Sequence, residues 1–440
     1  MSMMKKTANT SKSSLSEAPQ VESNWKRTFF LIWTGQAFSL LGSSLVQFAL
    51  VWWLTQKTGS ATVLAAATFV ALLPSVFLGP FVGALVDRWN RRIVMIAADG
   101  MVALATVALV ILFWLDIAQV WHVYVVLFVR SLTGTFHFPA MQASTSLMVP
   151  DKHLSRISGL NQALRGILNI AAPPLGALLI GLIPMAAVMA IDIVTAAIAI
   201  LPLLFVSIPQ PQQANPSEAV TPTTVLRDVA AGLKYVKAWP GLLGVIILAM
   251  LLNFVIAPSG TLMPLLVTKH LNGDAYLLGF MESAFGAGII VGGIILAVWG
   301  GFKRRIITSM SGVIALGAGV LFLSAATKES LWLGLAAQGL MGFAIPFANG
   351  PLMAIMQSRV APEMQGRVFT LLESGATAMM PLAMIIAGPV ADALGIRTWY
   401  VIGGAACILI ALGGLLVRPI MQIESNGHAE PVPQPVPEAI

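Results

Sequence analysis

The chain has 440 residues, of which 57% are hydrophobic and only 10% are charged. Soluble domains contain about 25% charged residues, so this composition excludes an ordinary water-soluble fold and indicates a membrane protein. The formal net charge is +7, but the basic residues occur in short clusters between apolar segments, which argues against a nucleic-acid-binding surface. The single cysteine, Cys407, has no partner for a disulfide or for a cysteine-based metal or redox site.

Segments that are long and apolar enough to cross a bilayer recur along the chain. A transmembrane helix needs roughly 20 mostly apolar residues, and 12 segments of the sequence meet this criterion. They are predicted at 28–54, 60–86, 93–115, 121–148, 155–182, 185–206, 241–267, 275–299, 306–326, 331–357, 368–391 and 398–418. The first is much longer than the hydrophobic region of a cleaved signal peptide, so we interpret it as a retained span.

The distribution of lysine and arginine predicts the orientation of these spans. If the N-terminus is cytoplasmic, 19 of the 25 basic residues lie in cytoplasmic segments, 4 lie in outer loops, and Arg130 and Arg165 lie within spans. The positive-inside rule therefore predicts a multi-pass protein of a bacterial cytoplasmic or inner membrane, with both termini in the cytoplasm.

The loop between spans 2 and 3 carries the most specific motif of the chain. It reads GALVDRWNRR and resembles the signature loop of the major facilitator superfamily, G-x-L-x-D-R-x-x-R-R. A positively charged loop alone would explain the arginines but not the glycine and the aspartate. The aspartate can bind neighbouring arginines or a helix N-terminus in one conformation only, which would make the loop a conformational latch. The predicted latch residues are Gly83, Asp87, Arg88, Arg91 and Arg92.

Spans 4 and 5 carry charged residues and further motifs. Arg130 is predicted near the membrane centre, where an unpaired charge costs at least a few kcal/mol, so we expect it to be functional or ion-paired. Arg130-x-x-x-Gly134 resembles the span 4 motif of the superfamily, in which the arginine is associated with proton coupling. Span 5 partly resembles the antiporter signature through Gly159, Pro173 and Gly176, although Leu168 and Ala172 replace two of its glycines.

A polar segment at 207–227, rich in proline, glutamine, serine and threonine, separates the sixth span from the seventh. The apolar residues Val225, Val229, Leu233 and Val236 then share one helical face, which predicts an amphipathic helix on the membrane surface. The predicted organisation is a cytoplasmic tail at 1–27, a bundle at 28–206, a cytoplasmic linker with this helix at 207–239, a second bundle at 240–418 and a tail at 419–440.

The two halves also share a short feature, because Gln338-x-x-x-Gly342 in span 10 corresponds to the arginine motif of span 4. Parallel repeats of this kind are a known transporter plan with a binding site at their interface. We therefore predict an all-α integral membrane fold of 12 helices in two six-helix bundles, the major facilitator fold.

Four carboxylic acids are predicted to be buried within spans: Asp99, Asp192, Glu282 and Glu373. A low dielectric favours the neutral form of a carboxyl group, which allows such a group to exchange a proton near neutral pH. Glu282 is the first candidate for a proton carrier, followed by Asp192 and Asp99. A structural ion pair or helix cap is the alternative role for each.

The sequence as a whole resembles the macrolide-efflux branch of the drug:proton antiporters in this superfamily. The similarity extends over most of residues 24–418 and includes LGPFVGALVDRWNRR, VLFVRSLTGTFHFPA and GRVFTLLESG. It implies a carrier that exports bulky amphipathic compounds by alternating access and is driven by the proton gradient.

Polar residues within the spans are the candidates for a substrate cavity. They are Gln36, Gln47, His137, Gln162, Arg165 and Asn253. A hydrogen-bonded structural histidine is the alternative for His137. Arg165 departs from the resemblance, since an uncharged polar residue is expected there in macrolide exporters. A cationic cavity would suit neutral or anionic cargo better than a cationic macrolide.

The sequence lacks the motifs that are typical of other functional classes. The chain contains neither G-x-x-x-x-G-K-[ST] nor H-E-x-x-H, and its five histidines are scattered. We therefore expect neither an enzyme nor an ATP-driven pump, and no cofactor, metal or nucleic acid. The expected partners are a small-molecule substrate, protons and the lipid bilayer, and the chain is expected to be monomeric. A proton-coupled nutrient importer and an exporter of a siderophore or lipid are the alternatives.

Overall fold

The structure, a computed structural model, describes residues 25–86, 88–206, 208 and 222–425. In these ranges the chain forms helices joined by short loops, without strands. The helices are α1 (Trp25–Thr58), α2 (Ala61–Val86), α3 (Arg91–Trp114), α4 (Val120–Met148), α5 (Asp151–Leu182), α6 (Met185–Phe205), α7 (Pro222–Ala238), α8 (Pro240–Thr261), α9 (Met263–Leu265), α10 (Ala275–Trp299), α11 (Arg305–Ala325), α12 (Leu331–Arg359), α13 (Pro362–Leu394), α14 (Ile396–Leu416) and α15 (Arg418–Met421).

Eleven of the described helices are long and apolar enough to cross a membrane. Helix α4, with 29 residues, has sufficient length but includes Arg130, His137 and several hydroxyl side chains, which lower its hydropathy. Because α4 packs between α2 and α3, it completes a set that is compatible with 12 transmembrane helices. The all-α membrane fold expected from the sequence is confirmed.

The predicted seventh span, 241–267, is wrong at its end. Helix α8 stops at Thr261, and the chain continues through the short α9 and a π-helical turn, Leu266–His270. Pro264 lacks an amide hydrogen and its ring crowds the preceding helical turn, which weakens the helical hydrogen bonding where α8 ends.

Two groups of six spans are evident from the helix contacts. Helices α1 to α6 contact one another through the pairs α1–α6, α2–α4, α3–α4 and α3–α6, whereas the second group uses α8–α13, α10–α12, α11–α12 and α11–α14. Gly288 and Gly292 of α10 lie directly against the backbone of α12 at Gly339 and Phe343, where any side chain would collide. These glycines allow the close helix contact that replaces hydrophobic attraction within a lipid environment.

Helix direction alternates along the chain, so Trp25 and α15 lie on one face of the molecule. We call it the terminal face, and the opposite face, with the loops at 59–60 and 271–274, the distal face. On the terminal face, α7 packs against α13 through Gly232, Tyr235 and Val236, and the Tyr235 hydroxyl accepts a hydrogen bond from the Ala361 amide at 3.3 Å. The helix itself was expected from sequence, but its contact with α13 was not, because its apolar face was interpreted as facing lipid.

The two bundles contact each other in the distal halves of their helices, through α5–α10 and α2–α13. The Ser283 hydroxyl donates to the carbonyl oxygen of Ile170 at 2.6 Å. At the end of α13, the Asp392 carboxylate accepts hydrogen bonds from the start of α2 (Ser60 hydroxyl 2.8 Å, Ala61 amide 2.7 Å, Thr62 amide 2.9 Å). Because a carboxylate caps a helix N-terminus favourably, these bonds join the bundles at the distal face.

Candidate functional site

A central cavity of about 780 Å³ lies between the two bundles. Helices α1, α4 and α5 line one side, and α8, α10, α11 and α12 line the other. The wall is mostly apolar, with Phe48, Phe285 and Met341 among its residues, and Glu282 is its acidic group. Adaptable apolar walls with few polar groups are typical of sites for bulky amphipathic ligands.

A second cavity, of about 630 Å³, lies within the first bundle between α1, α3, α4 and α5. Its lining is richer in polar side chains and includes Asp99, His137 and Arg165. Leu40, Ser43 and Arg130 line both cavities. The two cavities therefore meet at these residues and form one chamber with an apolar part and a polar part.

The predicted arginine of span 4 has a direct partner at the junction of the two cavities. Arg130 forms an ion pair of 2.5 Å with Asp192, whose side chain is 1% exposed. The Asp192 carboxylate also accepts from the hydroxyls of Ser43 at 3.0 Å and Thr106 at 3.1 Å, and Arg130 donates to the Ser43 carbonyl at 3.0 Å. This network joins α1, α3, α4 and α6, and it occupies both oxygens of Asp192.

A second acidic group, Asp99 of α3, faces the polar cavity. It accepts a hydrogen bond from the Gln36 amide at 3.0 Å, and its other oxygen lies 3.4 Å from Nε2 of His137. That distance is longer than a normal hydrogen bond, so the imidazole and the carboxylate are close without being firmly bonded. Asp99, Gln36 and His137, predicted separately from sequence, are thus brought together on three helices.

Glu282 differs from both of these acids. It lies in the distal half of α10 and lines the central cavity. Within the described ranges, no side chain forms a hydrogen bond or ion pair with its carboxyl group. Glu282 is therefore the one acidic group of the described chamber that is left without a partner to hold its charge.

Two candidate residues are placed elsewhere. Glu373 was predicted to be buried, but it is exposed and lines neither cavity. The reason is that Leu372 packs into the core, and the next residue of a helix is turned by about 100° around the axis. Asn253 lines neither cavity within the described part of the chain, and its amide donates to the Ala249 carbonyl of its own helix at 3.0 Å.

The remaining candidates for the substrate cavity are distributed between the two parts of the chamber. Gln47 lines the central cavity, whereas Gln162 and Arg165 line the polar one. The Arg165 guanidinium stacks on the ring of Phe138, at 4.7 Å from the ring centroid. Arg130 and Gln338, which the sequence repeat relates, both face the central cavity.

The antiporter-like motif of α5 lies partly at the bundle interface. Pro173 lines the central cavity and packs against the backbone position of Gly279 in α10. Gly176 lies against Phe48 of α1. Gly159 has no neighbour within 4 Å of the position that a side chain would occupy. Two of the three motif residues, Pro173 and Gly176, thus contact neighbouring helices beside the chamber.

The latch loop is described only in part, since Asp87 lies outside the described residues and nothing is described of Gly83 beyond its helix. Arg88 is exposed. Arg91 donates to the Ala143 carbonyl of α4 at 2.9 Å, and Arg92 donates to the carbonyls of Leu203 and Leu204 at the end of α6. A cation is favourable at a helix C-terminus, so these arginines tie the terminal ends of the first bundle together.

Asp392, which joins the bundles at the distal face, was not among the residues predicted from sequence. The predicted eleventh span ends at residue 391, so Asp392 was not counted among the acidic residues within spans. Phe138, whose ring supports Arg165, was not predicted either. An aromatic residue inside an apolar segment has no distinguishing sequence signal.

Comparison with known proteins relates this chain to a family of transporters. The sequence model described as Major Facilitator Superfamily matches residues 32–383. The chain is 32% identical over 402 residues to Macrolide efflux protein A of Streptococcus pyogenes, which covers 91% of this chain and 98% of that protein. It is 25% identical to the Multidrug efflux pump Tap of Mycolicibacterium fortuitum, over 87% of this chain and 94% of the pump.

Solved transporter structures share the fold at low sequence identity. A mutant of the nucleoside transporter NupG matches with a TM-score of 0.69 and 15% identity, over 89% of this chain and 98% of that one. A bacterial homologue of the iron transporter ferroportin, in an inward-facing state, matches with a TM-score of 0.66 and 13% identity, over 91% and 99% of the two chains. Together, the sequence matches and the two-bundle fold show that this chain belongs to the major facilitator superfamily.

Proposed function

We propose that this protein is a secondary active exporter that uses the proton gradient to move amphipathic small molecules, such as macrolides or other drugs, out of a bacterial cell. The observation that carries the proposal is the chamber between the bundles, where a large apolar cavity adjoins the unpaired acid Glu282. The efflux proteins among its relatives support export as the direction of transport.

The orientation belongs to the same proposal. The terminal face is cytoplasmic, as the excess of 19 basic residues over 4 indicates. Both tails then lie in the cytoplasm. The linker at 207–239, which connects the bundles at 28–206 and 240–418, lies there as well. One chain contains both bundles and the whole chamber, so a monomer suffices for transport.

In the described conformation the bundles are joined at the distal face, and the polar cavity extends toward the terminal face. Thr145 and Ser158 line this cavity, on either side of the short connection between α4 and α5. Under the proposed orientation, substrate enters this conformation from the cytoplasm. Rocking of the bundles then closes the terminal face, where Asp87 of the signature loop acts as the latch, and opens the distal face.

Proton coupling is assigned to Glu282. A charged carboxylate prefers water, so the ionised group opposes closure of the chamber around it. Protonation from the outside removes the charge and favours return to the inward-facing state, where the proton is released. Asp192 is the weaker candidate because both of its oxygens are occupied by the Arg130 network. Asp99, with His137 nearby, is the next alternative.

The test is accumulation of a panel of labelled amphipathic compounds in cells. Cells that produce the protein should accumulate less of at least one compound than cells with an empty vector, and a protonophore should remove the difference. Higher accumulation in the presence of the protein would indicate import and contradict the proposal. Efflux that persists with the protonophore would contradict proton coupling.

A further inference from the structure

The polar part of the chamber contains several charged groups, and most of them have partners. Arg130 is neutralised by Asp192, and Asp99 is held by Gln36 and lies beside His137. Arg165 is different, because no carboxylate pairs with it among the residues that the structure describes. Within the described part of the chain, its guanidinium lies over the face of the Phe138 ring, 4.7 Å from the ring centroid.

Among the described residues, the Arg165 guanidinium contacts Phe138 through its face and forms no hydrogen bond through its N–H edges. An arginine stacked on a ring keeps its N–H donors in the guanidinium plane, where they can bind a carboxylate with two parallel hydrogen bonds. Phe138 is 44% exposed and lines the same cavity. An aromatic surface therefore lies directly beside the cationic N–H donors of Arg165.

Asn161, one helical turn before Arg165 on α5, adds a second donor to this wall. Its side-chain oxygen accepts a hydrogen bond from the Trp33 indole at 2.7 Å. With the oxygen occupied in this way, the amide nitrogen of Asn161 provides the remaining hydrogen-bonding group, which is a donor. Donors from Arg165 and Asn161, next to an aromatic ring, match an acceptor-rich anionic group attached to an apolar body.

We propose that Arg165, Phe138 and Asn161 form a subsite for the carboxylate of an amphipathic anion, whose apolar body extends into the central cavity. This inference rests on the proposed export of amphipathic molecules and narrows their class to amphipathic anions, so that cationic compounds such as macrolides become the poorer substrates. It predicts that an amphipathic carboxylate binds better than its neutral ester, and that a cationic amphiphile of the same shape binds worst, because its charge meets that of Arg165.

Three fluorescent probes of similar shape test the subsite: pyrenebutyrate, its methyl ester and pyrenebutylamine. Equilibrium binding is measured to the purified full-length protein and to the variants Arg165→Gln and Arg165→Lys. The matched control is Arg156→Gln, because Arg156 is an exposed arginine of α5 that lines neither cavity. Thermal unfolding of each variant checks that it is folded.

The wild-type protein should bind the carboxylate more tightly than the ester. Loss of one charge-assisted interaction predicts that Arg165→Gln weakens carboxylate binding roughly 10- to 100-fold, with little change for the ester. The carboxylate affinity of Arg165→Lys should lie between those of wild type and Arg165→Gln, because lysine keeps the charge but not the paired N–H donors. Arg156→Gln should behave as wild type. Equal weakening of carboxylate and ester in Arg165→Gln, or a wild-type preference for the amine, would overturn the proposal.

Binding measured in this way does not depend on pumping. If selective carboxylate binding requires Arg165 but no probe is exported in the cellular assay, the subsite is supported and the proposed function fails. If probes are exported with a protonophore-sensitive rate that Arg165→Gln leaves unchanged for all three, the function is supported and the subsite is rejected.

Discussion

Asp392 joins the second bundle to the first helix turn of α2, and its loss should shift the protein toward the state that is open at the distal face. The carboxylate accepts three hydrogen bonds, from the Ser60 hydroxyl and from the amides of Ala61 and Thr62, between 2.7 and 2.9 Å. These bonds cross between bundles, so they stabilise only conformations in which the distal face is closed. The substitution Asp392→Ala removes them all.

The magnitude follows from helix capping. Replacing a capping carboxylate by alanine costs about 1 to 2 kcal/mol, which corresponds to a change of roughly 5- to 30-fold in an equilibrium constant. The ratio of distal-open to distal-closed molecules should rise by this factor in Asp392→Ala. Asp392 is exposed at the surface, which favours the lower end of this range.

Distances between spin labels on the distal face measure this ratio. Labels at Ala118 and Lys328, on distal loops of the two bundles, are introduced in a Cys407→Ala background. The matched control is Asp274→Ala, because Asp274 caps α10 within a single bundle by accepting from the Leu277 amide at 3.0 Å. An unchanged distance distribution in Asp392→Ala, or the same change in Asp274→Ala, would refute the reasoning.

Three further predictions concern the proposed proton carrier, the proposed latch and the Arg130–Asp192 ion pair. Glu282→Gln should abolish protonophore-sensitive efflux in proteoliposomes while it preserves substrate binding. The control Glu373→Gln should behave as wild type, because Glu373 lines neither cavity. A wild-type pumping rate in Glu282→Gln would contradict the assignment of Glu282 as the proton carrier. Asp87→Asn should leave the protein folded and inserted but slow transport severely, and normal transport rates would remove the loop from the mechanism. Asp192→Asn removes the counter-ion of Arg130, whose side chain is 11% exposed and lines both cavities, and should cost about 3 kcal/mol of stability, the lower end for a buried pair. The loss should be seen as a lowered unfolding temperature in detergent, and an unchanged midpoint would show that the pair is dispensable for folding.

The sequence by itself determined the number and the limits of most spans, because the signal is local. Backbone groups in lipid must be satisfied within one helix, so each crossing requires its own apolar segment, such as α3 or α14. The signature loop that begins at Gly83 and the excess of basic residues in alternate loops are also local signals, which can be recognised in short stretches of sequence. The sequence does not show which proline ends a helix and which is accommodated within one. Helix α8 contains Pro258 but ends at Thr261, earlier than predicted.

Only the tertiary structure decided which polar groups meet. Arg130 and Asp192 are 62 positions apart, and Ser60 and Asp392 are 332 apart. A membrane helix is apolar on all sides, so its sequence lacks the periodicity that reveals the buried face of a helix in a soluble protein. The rotation of each helix is instead set by packing against its neighbours. That rotation is the reason why Glu282 lines the chamber while Glu373, also predicted from sequence to be buried, is exposed and lines neither cavity.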